Sequence, residues 1–118
     1  MKYIILSIAL MISSSAFACY KADGVEFEIT GNVVPAVYKT EEFVAHYKAL
    51  ELKEPACFLP DGELSEKSMN ISSIQLSVPE GVSVELGNSY RIKGNAFHSH
   101  TGHHFTKIVI EVKNAEKL

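Results

Sequence analysis

Val25, Phe27 and Ile29 alternate with Glu26, Glu28 and Thr30, and a period of two marks a half-buried strand. Gly24 opens this run, and Gly31 falls where a bulge or bend lets a strand curl. Val33 and Val34 continue it to Pro35. A second run, Phe43 to Leu52, is rich in Val, Tyr and Leu, but Tyr47 and Leu50 cannot both face inward without a bulge. Lys53-Glu54-Pro55 ends it, and Ala56 to Leu59 reads as a short extension. Pro60-Asp61-Gly62 is a turn, and Glu63 to Asn70 a polar loop or one helical turn. Ile71, Ile74, Leu76 and Val78 resume strand patterning. After a turn at Pro79-Glu80-Gly81, Val82, Val84 and Leu86 alternate as far as Gly87-Asn88. Tyr90, Ile92 and Gly94 mark the next strand, and Ile108, Ile110 and Val112 the last, with Val109 facing elsewhere.

Short strands separated by turns, with no convincing helix, predict an all-β domain. The expected form is a small five- to six-stranded barrel, OB-fold-like, because closure hides the strand edges that invite aggregation. An immunoglobulin-like sandwich fits less well, since there is no Trp and the cysteine spacing is short. Val25, Phe27, Ile29, Ile74, Leu76, Ile92, Ile108, Ile110 and Val112 are expected to face one core.

The N-terminal pattern is different. Lys2 precedes an apolar run from Tyr3 to Ile12, and Ser13 to Ser15 lead into Ala16-Phe17-Ala18. This reads as an export signal over residues 1–18, cleaved after Ala18, with a single domain over 19–118. The run is shorter than the roughly 20 residues that span a bilayer, so no transmembrane segment is expected in the mature chain. A lipoprotein reading, with Cys19 acylated, fits less well because bulky Phe17 stands where a small residue is usual. A periplasmic or secreted location follows. Two cysteines in an exported chain are more often paired than free, so Cys19 and Cys57 are expected to form a disulfide.

Composition narrows the partners. The chain of 118 residues carries a formal charge of −3, and Lys2 is the only charge before Cys19. The remainder therefore has 10 Lys and Arg against 14 Asp and Glu. That balance argues against nucleic acid, which needs a basic face. A protein or envelope component is the expected partner, and the sequence specifies no oligomeric state.

Four of the five histidines fall within Phe97-His98-Ser99-His100-Thr101-Gly102-His103-His104-Phe105. Gly102 suggests a turn, which makes this segment the tip of the last hairpin. Residues two apart on a strand share a face, so His98 and His100 are expected to project together, with His103 or His104 folding back opposite them. The leading reading is a binding loop, with Phe97, Thr101, Gly102 and Phe105 shaping it. The alternative is a metal site of His98, His100, His103 and His104, whose neutral imidazoles suit Zn, Cu or Ni, with Zn the cofactor expected in that case. His46 on the second strand is a further candidate. Catalysis has the least support: Ser99 neighbours two histidines, but no nucleophile elbow surrounds any serine, and Asp is confined to Asp23 and Asp61.

The segment from Gly94 to His104 closely resembles the signature of bacterial exported proteins grouped as domain of unknown function 4431. Cys19-Tyr20, Leu50-Glu51-Leu52, Pro55-Ala56-Cys57 and Ile74-Gln75-Leu76 also agree. Where members commonly continue with a third His, then Thr and Pro, this chain has Phe105, Thr106 and Lys107. The resemblance implies an exported domain, a Cys19–Cys57 bridge and a specialised hairpin, and no reaction.

Overall fold

The computed structural model describes residues 19–59 and 68–118. The export signal read over 1–18 and the turn and loop read over 60–67 lie outside the described residues. The described chain is all-β: β1 (Asp23–Lys39), β2 (Val44–Phe58), β3 (Met69–Ser77), β4 (Ser89–His98) and β5 (Ile108–Lys117). They form one sheet in the order β1-β2-β3-β5-β4, and β4 pairs back on β1, closing the sheet as a barrel. All neighbours are antiparallel except β3 and β5, which run parallel from Gln75↔Val109 to Ser77↔Glu111.

β1 is long enough to serve two neighbours. Its first part pairs with β4 from Asp23↔Phe97 to Asn32↔Ser89, and its second with β2 from Asn32↔Glu51 to Lys39↔Val44. The change of partner falls beside Gly31. A Cβ there would stand 2.7 Å from the Glu51 carbonyl oxygen and 2.9 Å from Leu50 Cγ, so only glycine lets β2 cross so closely. The curl expected at Gly31 is thus present.

Both prolines read as strand ends lie inside strands. Pro35 continues β1, paired with Lys48. Val33 donates to the Asn88 carbonyl at 2.9 Å and accepts from Gly87 at 2.7 Å, both away from β2. Alternation turns the missing N–H of Pro35 to that same outer edge, where no rung is lost. Pro55 lies in the irregularity between Glu51 and Ala56, where β2 has more residues than β3, the other place a strand tolerates proline.

The sixth strand, read over Val82 to Leu86, does not form. Val84 is buried, and Val78 and Val82 pack against the same core, so the alternation reflects a loop folded over the barrel interior. Its main chain is satisfied by side chains: Lys48 Nζ donates to the Val84 carbonyl at 2.6 Å, and Glu85 N–H to the Tyr90 hydroxyl at 2.9 Å.

The interior contains Ile29, Ile74, Leu76, Ile92, Ile108, Ile110 and Val112 as expected, with Phe27 packed at its margin. Phe58, Leu50 and Val33 are fully buried with them. Val25 is a correction: it is 56% exposed. Between Asp23 and Glu26 β1 carries one residue more than β4, and this bulge turns Val25 out of the inward series. Leu50 faces in, and Tyr47 takes the outer face, where it contacts Phe105.

Cys19 and Cys57 are joined by a disulfide, with Cα atoms 4.7 Å apart. Beside it Tyr20 donates to the Cys57 carbonyl at 2.8 Å and accepts from Leu59 at 2.9 Å. Tyr20 thereby supplies a short parallel rung to the end of β2, which β1 does not reach. The gap between the first part of β1 and the end of β2 is a cavity of about 710 Å³, bordered by Glu28, Thr30, Lys53 and Ala56.

Candidate functional site

The segment Ser99–Lys107 joins β4 to β5 and is closed at its base by Ser99 N–H donating to the Lys107 carbonyl at 2.9 Å. Its tip is the turn expected at Gly102: His104 N–H donates to the Thr101 carbonyl at 3.2 Å. Thr101 Oγ1 also accepts from His103 N–H at 3.2 Å, a side-chain turn typical of threonine. His104 Nδ1 accepts from the N–H groups of His100 and Thr101 at 3.0 and 3.3 Å. The His-Thr-Gly-His-His sequence thus folds on itself, with one imidazole acting as a cap for two main-chain donors.

Those bonds define the state of His104. Accepting at Nδ1 requires the neutral ring with its proton on Nε2. Desolvation, with like charge on His100 and His103 adding to it, holds the His104 pKa below its ordinary value of 6.5.

The histidines are not all brought together. β4 ends at His98, whose cross-strand partner is the buried Ile108. Alternation along β4 puts His98 on the face of interior Ala96, whereas Phe97 lies on the outer face. His100 and His104 join Phe97 there: ring centroids are 4.6 Å apart for His100–His104, 5.1 Å for Phe97–His104 and 5.5 Å for Phe97–His100. The shared face expected for His98 and His100 is lost because the strand stops between them. His103 is exposed at the tip, and His46 lies on the other hairpin, opposite Val37. Among the described residues, no three His, Cys, Asp or Glu side chains are grouped so as to hold a metal ion.

The residue that fixes the loop was not a site candidate from the sequence. Gln75 stands on the outer face of β3, between interior Ile74 and Leu76, yet it is buried. Its Oε1 accepts from Phe105 N–H at 2.6 Å and its Nε2 donates to the His103 carbonyl at 2.9 Å. Its own N–H donates to Thr106 Oγ1 at 2.9 Å, and that hydroxyl donates to the Ile108 carbonyl at 2.5 Å. Val109, beside Gln75 in the parallel register, is fully buried without belonging to the interior cluster. The only sequence sign of this was a glutamine within an apolar strand run.

Phe105 then reaches across to the β1–β2 hairpin. It stacks on Tyr38 at 4.9 Å with 23° between the planes, and touches Tyr47 at 5.2 Å. Tyr38 in turn meets Phe43, in the hairpin turn, at 5.9 Å. Tyr38 and Phe43 remain 40% and 48% exposed. Aromatic side chains therefore run along one outer face from the first hairpin turn to the histidine loop.

Residues 73–116 match the model of the family described as Domain of unknown function (DUF4431). The matched span holds most of β3, all of β4, the histidine loop and nearly all of β5, so Gln75 and the loop it grips both lie within it. No curated protein and no solved structure matches the chain. No helix among the described residues is long and apolar enough to cross a membrane.

Proposed function

We propose that this protein is an exported, OB-like binding module whose recognition face is the outer surface between the β1–β2 hairpin and the histidine loop. The observation that carries it is the Tyr38–Phe105 stack, which joins the two hairpins while leaving aromatic surface open to solvent. Exposed aromatic patches of this kind mark interaction sites. The strand order β1-β2-β3-β5-β4, with β3 and β5 parallel, supports an OB-like assignment, and in such barrels the loops after β1 and β4 border the ligand. The disulfide is compatible with an oxidising compartment outside the cytoplasm, and with the signal read over 1–18. The domain proposed is 19–118.

In this reading His100, His103 and His104, with Phe97, Thr101, Gly102 and Phe105, shape a binding loop. The metal alternative, with Zn held by His98, His100, His103 and His104, would need His98 to turn from the interior side and His104 Nδ1 or Nε2 to be free. The partner is a protein or envelope component. The test compares the purified protein with a Tyr38→Ser/Phe105→Ser variant on immobilised envelope material, with Zn titration alongside. Retention that disappears in the variant, without Zn uptake, supports the binding face. Equal retention by both proteins overturns it, and stoichiometric Zn uptake lost in His100→Ala favours the metal reading.

A further inference from the structure

We infer that the ligand of this face is a neutral chain of pyranose sugars; the inference rests on the binding-module reading and deepens it. Four rings form the path: Phe43, Tyr38, Phe105 and Tyr47 in successive contact at 5.9, 4.9 and 5.2 Å. They come from a hairpin turn, two strands and the second loop, so a ligand long enough to follow them must be an extended chain.

The chemistry of the face selects among extended chains. An aromatic face is the negative side of a quadrupole. The C–H groups on one side of a pyranose ring are weakly positive and apolar, and they lie in a plane that matches such a ring. The hydroxyls at the sugar's edge need donors and acceptors, which the tyrosine hydroxyls and the exposed imidazoles of His100 and His103 provide. A nucleic-acid strand also stacks on rings, but it brings one charge per nucleotide and needs a cationic track. The charged residues in the bordering turns are Lys39, Glu41 and Glu42 on one side and Lys107 on the other, two of each sign. That balance suits an uncharged ligand. OB-type faces are known to take both oligonucleotides and oligosaccharides, and the charge decides for the second.

The test records backbone and aromatic NMR shifts of the purified, disulfide-bonded protein with four probes: cellohexaose, the hexamer of β-1,4-linked N-acetylglucosamine, oligo-dT and oligoproline. The expected result is saturable shifts of Tyr38, Tyr47 and Phe105 with at least one hexasaccharide. Tyr38→Ser is expected to weaken that binding by roughly tenfold or more, and Tyr38→Phe to keep most of it. Leu118→Ser, at an exposed position beyond the end of β5 opposite the histidine loop, should leave it unchanged. If neither hexasaccharide shifts these signals, or if Tyr38→Ser binds as tightly as the parent, the sugar inference falls. If oligo-dT or oligoproline shifts them while both sugars fail, the face binds but its ligand is not a glycan. Silence with all four probes removes the sugar inference, and the envelope-retention experiment then decides the fate of the face itself.

Discussion

Phe105 donates its main-chain N–H to the Oε1 of Gln75, 30 positions earlier, at 2.6 Å, and the same side chain returns a bond to the His103 carbonyl. One amide thus satisfies a donor and an acceptor of a loop that has no ladder partner there. A buried group deprived of its partner costs about 1–3 kcal/mol. Gln75→Leu is therefore expected to lower stability by that amount in denaturant titration. Amide exchange should accelerate at Phe105 and His103 while Ile92 and Ile110 stay protected. Uniform loss of protection, or none, would show that the loop is held by something else.

His104 sets a pH dependence whose direction follows from its neutral state. Its folded pKa lies below the ordinary 6.5, so the unfolded chain takes up the proton first. The contribution of His104 is complete above about 6.5 and is lost as pH falls through that value toward the lower folded pKa. Protonation at Nδ1 also removes the acceptor for His100 and Thr101 N–H. Asparagine at 104 offers an oxygen acceptor and does not titrate. Unfolding midpoints measured near pH 7.5 and near pH 5 should differ less in His104→Asn than in the parent; an equal difference would acquit His104.

Two glycines of the same hairpin should respond very differently to alanine. A Cβ on Gly94 would collide with the Glu111 main-chain oxygen, whereas one on Gly102 meets nothing within 4 Å. Gly102 is also absent from the glycines with positive φ. Gly94→Ala is expected to cost about 1–3 kcal/mol by forcing β4 and β5 apart, and Gly102→Ala less than about 0.5 kcal/mol. Thermal melts of the two variants read this directly, and the reverse order would contradict the register.

Free-thiol labelling of the denatured, unreduced protein should find no reactive cysteine, since Cys19 and Cys57 are bonded. Cys57→Ala is expected to lower stability by about 2–5 kcal/mol, as bridge loss does in small exported domains. Two labelled thiols per chain would refute the pairing.

Much of this was legible from alternation. Ile108, Ile110 and Val112, or Ile74 and Leu76, announce their face because nothing interrupts the period of two. Val25 misleads because a bulge changes the parity, and a bulge leaves no mark beyond Gly24. Val82 and Val84 mislead because a loop capping a barrel buries residues with the same rhythm as a strand. Pro35 and Pro55 look like breaks because a sequence does not show which strand edges are free. The histidine loop was visible as a cluster and a turn. Its anchor was not, since the partner of Phe105 lies on another strand and Gln75 alone carries no chemistry that singles it out.

The short rung at Tyr20 gives the disulfide a role beyond chain entropy. The first part of β1 and the end of β2 face each other across an unpaired gap, and Tyr20, tethered by Cys19, lies along one bank of it. Cutting the tether frees the carbonyl of Cys57 and the N–H of Leu59, a template on which another chain can add a strand. Reduced protein should therefore clump through this seam before it unfolds, so the bridge guards solubility as well as shape.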